Sequence, residues 1–311
     1  YKISNVNQMD PFLMTITSGS DHWMYLSSTG CLTAGRIKAE YALFPYVTDD
    51  LLHRNAHFTG PVTILRIHQD SKSHIWEPFS KHKQPFNREN NLYKNSLGDT
   101  VVFEEKNHTL GLTYSYKWQA SAEYGFIRKS SLINFGEKSL QVELLDGLRN
   151  IMPAGVELRT QQEMSNLANA YKVSEYMPDA NCALFFMNAL LMDRPEPGES
   201  LYTNLVWSYY NGEKNISLSE KDIARFTDNG AFSGAHIVKG KPGSFLTKIE
   251  KNLEPGSEIH WYTVADVHQS QSEVTHLISD LNDASKIELK LEESIQNNHL
   301  LLQSAIGSAD G

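Results

Sequence analysis

A large antiparallel β-sandwich with a helical end is the fold class this 311-residue sequence predicts. Three observations lead there. Segments rich in β-branched and aromatic residues recur along the chain with turn signals between them. Leu140, Val142 and Leu144 alternate with Gln141 and Glu143, as in a strand with one buried face. Residues 270–306 switch to a helical period.

In chain order, strands are expected at 12–17 (FLMTIT), 22–28, 62–67, 100–106 and 110–118. Residues 124–147 read as two strands around NFGEKS, a glycine-containing loop that suits a hairpin. In 154–172 the period changes, with Met164, Leu167, Ala168 and Tyr171 on one helix face. Strands return at 182–192 and 200–210. Ser219 with Asp222 signals a short helix that stops near 228–230. Late strands follow at 243–250 and 257–267. Ser270 and Glu273 form a capping-box pattern, and Val274, Leu277, Ile278 and Leu281 then repeat the helical spacing. A further helix with Ile287, Leu291 and Ile295 on one side runs to about Ile306. This divides the chain into a β domain over 1–269 and a helical segment over 270–311.

Composition excludes several function classes. Hydrophobic residues make up 40% and charged residues 21%, enough to bury a core. The net charge of −9, with no Lys/Arg cluster, argues against nucleic acid and suits neutral ligands such as sugars. No apolar run approaches the ~18 residues of a membrane span, and the compartment, cytoplasm or periplasm, stays open. Cys31 and Cys182 have no metal-ligand spacing and read as buried free thiols, with one long-range disulfide as the alternative in an exported protein.

Motifs for common chemistries are missing. There is no nucleotide fingerprint, so no cofactor is expected, and no G-x-S-x-G elbow. His53 and His57 in HRNAH lack the glutamate of H-E-x-x-H and read as polar loop residues, so no metal is expected. Of the adjacent carboxylates, Glu104 and Glu105 must point to opposite faces of a strand, Glu292 and Glu293 should face water, and Asp49 and Asp50 fall in a loop. Leu112, Tyr114, Tyr116 and Trp118 share one strand face. They read first as packing between sheets, while Trp118, Trp261 and His260 remain the candidates for stacking on sugar rings.

Two stretches resemble a known family. TITSGSDHWMYLSSTGCLTAGR (15–36) is similar to the opening of the cellobiose-phosphorylase-type enzymes, glycoside hydrolase family 94. Residues 114–155 resemble the strand–loop–strand of their amino-terminal β domain, with an R-x-x-x-L-x-N core at Arg128, Leu132 and Asn134. The similarity covers most of 1–270. It implies a galactose-mutarotase-like supersandwich of two large, mostly antiparallel sheets with a few inserted helices. In that family a helical linker and an (α/α)6 barrel follow, and the barrel carries the catalytic carboxylate. The resemblance therefore implies a non-catalytic domain of a glycoside phosphorylase or hydrolase. Its partners would be that barrel, the barrel's oligosaccharide substrate and a second copy of the chain.

The stretch CLTAGRIKAEYALFPYVTDD (31–50) reads as a loop between strands. Its Arg36, Phe44, Tyr46, Asp49 and Asp50 make an aromatic knob with a charged rim, the composition of a docking surface, so Phe44 and Tyr46 should lie on the helices or partly exposed. Two other readings stand beside the accessory domain: a carbohydrate-binding module using the tryptophans, and an aldose epimerase using His260, Asp266 and His268 of one strand face as acid and base.

Overall fold

The computed structural model describes residues 1–69, 72–189, 198, 200–283 and 285–309; the last part of the expected strand 182–192 lies outside them, as does the side chain of Asp49. Its strands in chain order are β1 (Lys2–Ser4), β2 (Leu13–Ile16), β3 (His22–Ser27), β4 (Leu32–Arg36), β5 (Gly60–Gln69), β6 (Lys72–Trp76), β7 (Arg88–Lys94), β8 (Val101–Asn107) and β9 (Leu112–Ser121). The second half holds β10 (Gly125–Asn134), β11 (Leu140–Ile151), β12 (Lys172–Met177), β13 (Cys182–Met187), β14 (Tyr202–Tyr210), β15 (Asn215–Ser217), β16 (Ile237–Lys239), β17 (Gly243–Leu253) and β18 (Glu258–Ser270). The helices are α1 (Asp49–Arg54), α2 (Leu158–Glu163), α3 (Ser165–Tyr171), α4 (Lys221–Asn229), α5 (Gln271–Leu281) and α6 (Ile287–Ala309).

The expected architecture is the observed one. A ten-stranded sheet, β1-β7-β8-β9-β10-β18-β14-β13-β12-β16, faces a five-stranded sheet, β15-β17-β11-β5-β6, and a three-stranded sheet, β2-β3-β4, joins the same core. Alternation decides the layers. Along β11, Leu140, Val142, Leu144 and Leu148 enter the core between the sheets, while Leu145 turns outward to meet Phe226 of α4. The outer face of the ten-stranded sheet is apolar too: Ile127, Leu205, Trp207, Tyr262 and Val264 are covered by Val274 of α5 and by Ile287, Leu291 and Ile295 of α6. The terminal helices thus lie along the sheet.

Three local expectations are corrected. The segment 124–147 is no hairpin: β10 pairs with β9 and β18, β11 pairs with β5 and β17, and the chain arches from one sheet to the other. Buried Asn134 fixes that arch, donating to the carbonyls of Lys138 and Leu253 and accepting from the Gly136 N–H. The single helix over 154–172 is two short ones broken at Met164; Met164 and Leu167 face solvent and only Ala168 of the expected stripe is fully buried. The stretch 31–50 is not all loop, because Leu32–Arg36 forms β4 against β3. The capping box at Ser270 is present as expected, with the Ser270 N–H donating to Glu273 at 2.7 Å.

Candidate functional site

The sheet has two faces, and the sugar-stacking candidates divide between them. Trp118 and Trp261 point into the core at 0% and 1% exposure, so neither offers a ring to a sugar, a correction to that expectation. His260 points outward and its Nε2 lies 2.7 Å from Glu288 of α6. The epimerase set is separated as well. His260 and Asp266 share the outer row, but Tyr262 and Val264 between them are buried under the helices. A register shift where β14 meets β18 takes His268 out of that row, with φ +55°, and its ring stacks between Tyr41 and Tyr202 at 3.7 and 3.9 Å.

The docking knob also comes apart. Phe44 lies in the core at 0% exposure, because the Leu43 N–H donates to Ala34 and the Leu43 carbonyl accepts from Met152, which ties the segment under the three-stranded sheet. Of the two aromatics Tyr46 is the exposed one, edge-on to Trp23 at 5.5 Å. Asp50 accepts from Thr48 at 2.6 Å, a local turn contact that holds its carboxyl below the usual range. Arg36 reaches elsewhere: it donates to Asp21 at 2.9 Å and to Asp266 at 3.0 Å.

That last contact brings together one docking candidate and one acid–base candidate. Arg36 at the end of β4 and Asp266 on the outer row of β18 border a cleft of about 230 Å³ beneath α5, lined also by Tyr124, Trp207, Glu273 and Asp280. Asp266 is buried and accepts from the Val267 N–H at 2.8 Å and from Gln269 at 3.1 Å. Burial pushes its carboxyl up to about 6, against the pull of Arg36. His22, opposite Arg36 on β3, is pushed down to about 4 by burial and then by Arg36. Chemically the cleft presents a guanidinium and a carboxyl that can hydrogen-bond a small polar ligand.

A second polar centre lies between the sheets, and the pattern reading missed it. Arg128 of β10 and Asp146 of β11 are both fully buried and form an ion pair across the sandwich. Asp146 also accepts from Thr63 at 2.6 Å, Trp261 at 2.6 Å and Tyr114 at 3.2 Å; Arg128 also donates to the Gly147 carbonyl at 2.8 Å. The signal was present: Arg128 sits in the inward row Phe126, Arg128, Ser130, Leu132, and Asp146 in the inward row Val142, Leu144, Asp146, Leu148. A charge at a core position of a period-2 row needs a buried partner. Glu104 and Glu105 do split as expected: Glu105 is buried and accepts from Trp76 and Asn90, while Glu104 accepts from Tyr93. Glu292 is not free in water, contrary to expectation; Tyr262 and Lys129 donate to it at 2.7 and 2.8 Å, and although burial works the other way these bonds hold its carboxyl below the usual range. His53 bonds Ser27 at 2.7 Å, and no group of three metal-ligating side chains occurs among the described residues.

No family model and no curated protein matches the chain. Solved structures share the course of its backbone loosely. A GalM/aldose epimerase homologue from C. elegans is similar over 84% of this chain and 100% of its own, at 10% identity and a TM-score of 0.47. A protein described as a kojibiose phosphorylase, from human microbiome, matches 77% of this chain at 10% identity and a TM-score of 0.42. A polysaccharide lyase matches 86% at 11% identity and a TM-score of 0.41. The chain spans 34% of the lyase and 27% of the phosphorylase. Likenesses this loose transfer no residue roles. Among the described residues no helix is long and apolar enough to cross a membrane.

Proposed function

We propose that the chain is a carbohydrate-associated supersandwich domain that serves as a rigid, non-catalytic mount for a helical catalytic domain of the same polypeptide. The sugar-related class rests on the resemblance of residues 15–36 and 114–155. The observation that carries the mounting role is how α6 is fixed to the sheet and to the β2–β3 turn. Glu288 and Glu292 take His260, Tyr262 and Lys129 as partners, Ser294 bonds Ser121, and Asn298 accepts from Ser18 at 3.1 Å. Gly19 lets α6 approach: a Cβ there would lie 2.6 Å from the Asn298 carbonyl. At this joint α6 also carries Leu300 and Leu301 at 50% and 54% exposure, an apolar strip that suits contact with a further helical layer. The acid–base candidates support the same reading, since His260 and Asp266 are each engaged in a joint between elements. Purified chain incubated with oligosaccharides, with and without phosphate, and with free aldoses should give no phosphorolysis, hydrolysis or mutarotation above buffer. Robust turnover abolished by Asp266→Asn would replace this reading with a stand-alone enzyme.

A further inference from the structure

The connection between β6 and β7 crosses the open edge of the sandwich as a strap, and cavities lie against it on two sides. One of about 310 Å³ is lined by Val6, Met9, Arg88, Asn90 and Phe103. The other, about 60 Å³, is lined by Gly30, His57, Glu77, Tyr116 and Arg149. They meet at Thr29 and at Phe79–Lys81, which border both.

The strap is held in one place. Buried Glu105 accepts from the Phe79 N–H at 2.7 Å, from Trp76 at 2.7 Å and from Asn90 at 2.9 Å, and pairs with Arg88 at 3.4 Å. Phe79 is kept at φ +61°, a left-handed conformation that costs a non-glycine residue free energy. Its ring stands edge-on to Tyr116 at 5.5 Å and to Phe103 at 6.1 Å. Strain of this kind persists where the surroundings over-determine it, and it concentrates at binding sites.

Three side chains with spare hydrogen-bonding capacity border the smaller cavity. Tyr116 is 4% exposed, and its hydroxyl faces Gly30, 3.1 Å from where a Cβ would stand there. That hydroxyl has no hydrogen-bond partner among the described residues. Arg149 donates through both terminal nitrogens to the carbonyls of His57, Ala56 and Pro61, while its buried Nε has no partner among the described residues. The Glu77 carboxylate likewise has none among the described residues. Of these the Arg149 Nε is the enclosed one; a buried donor left unmet is unfavourable, so it is met by water or by a ligand, and the Tyr116 hydroxyl and Glu77 carboxylate border the same cavity. The mixture selects the ligand. Arg149 and Lys81 alone would favour an anion, but Glu77 sets a negative charge in the same cavity. Two donors beside one acceptor suit hydroxyl groups, which both give and accept.

We propose that this strap cleft is a subsite for the end unit of a neutral saccharide, with a pair of ring hydroxyls bonded to Tyr116, Arg149 and Glu77. Size agrees. At about 60 Å³ the smaller cavity has room for hydroxyl groups, since one water needs only roughly 10–15 Å³ of such space, and the larger, about 310 Å³, stands at the low end of ligand pockets, about 300–1,000 Å³. The carbohydrate reading above guides only the choice of saccharide over other polyols.

Tyr116→Phe is the decisive variant, because it deletes only an unpartnered hydroxyl and should leave the melting temperature unchanged. Saturation-transfer NMR and calorimetric titration of the full chain would use glucose, galactose, mannose, cellobiose and kojibiose, with glucuronate and inorganic phosphate as anionic probes. The expected result is binding of at least one neutral sugar, weakened about three- to tenfold by Tyr116→Phe and by Glu77→Gln. Binding of the anions in preference to every neutral sugar overturns the ligand class. Sugar binding that both variants leave unchanged overturns the site, yet keeps the carbohydrate reading. No binding of any probe overturns the subsite, while the mounting role is judged separately by the turnover assays.

Discussion

Arg128–Asp146 and Arg36–Asp266 are both arginine–aspartate pairs with a buried carboxylate, yet they are built differently. In the first, both side chains are inaccessible, and Asp146 is surrounded by Arg128, Thr63, Tyr114 and Trp261 as donors. In the second, Arg36 divides itself between Asp266 and Asp21 at the lip of an open cleft, and burial leaves the Asp266 carboxyl raised to about 6. The difference lies in who shares the donor: Asp146 has Arg128 to itself with three more side-chain donors, whereas Asp266 shares Arg36 with Asp21, and burial outweighs the hydrogen bonds it accepts from Arg36, Val267 and Gln269. The first pair staples the two sheets; the second joins the β2–β4 layer to the outer face beneath α5.

The staple should be the costlier to break. Asp146→Ala leaves the Arg128 charge alone in the core, with an expected loss of about 3–5 kcal/mol in urea unfolding, enough to prevent folding of a marginal domain. The double variant Arg128→Met/Asp146→Leu should recover most of it, since an apolar pair needs no partner. A single variant within about 1 kcal/mol of the parent would break the comparison, because breaking a buried pair should cost far more.

The helical mount sits between these extremes. In Gly19→Ala the new methyl would meet the α6 backbone at Asn298 and Leu302, at 2.6 and 2.9 Å. Overpacking of this kind typically costs about 1–3 kcal/mol. Amide exchange should quicken in α6 and stay unchanged in β9–β11. Uniform acceleration would instead mean that helix and sheet open as one unit.

What the sequence made legible follows the same divide between local and non-local physics. Period-2 alternation placed Leu140, Val142 and Leu144 inward, and Ser270 with Glu273 marked the start of α5, because each depends on residues a few positions apart. Alternation does not name a strand's partner, so the arch from β10 to β11 read as a hairpin, and the register shift that turns His268 away from Asp266 left no local trace. Trp118 and Trp261 belonged to rows whose faces were legible but whose covering was not, since burial depends on the second sheet. The strap cleft was the least legible: Thr29, Glu77, Tyr116 and Arg149 come from four separate stretches and converge only in the fold.

The conditional pair gives the finest test, through pH. Asp266 rises from 3.8 to about 6 on folding, so the folded chain keeps a proton the unfolded chain has released; its contribution to stability is present below pH ~4 and lost as pH climbs to ~6. His22 falls from 6.5 to about 4, so its contribution is present above pH ~6.5 and lost as pH falls toward ~4. Over roughly pH 4–6 the two slopes oppose each other and partly cancel. Asp266→Asn removes the first and exposes the second. The variant should then lose more stability than the parent between pH 6.5 and 4.5, with an added slope of up to about 1.4 kcal/mol per pH unit. His22→Gln in the same background should flatten the profile again. Urea midpoints at pH 4.5, 5.5 and 6.5 would decide: parallel profiles for parent and Asp266→Asn would mean that Arg36 holds Asp266 charged throughout.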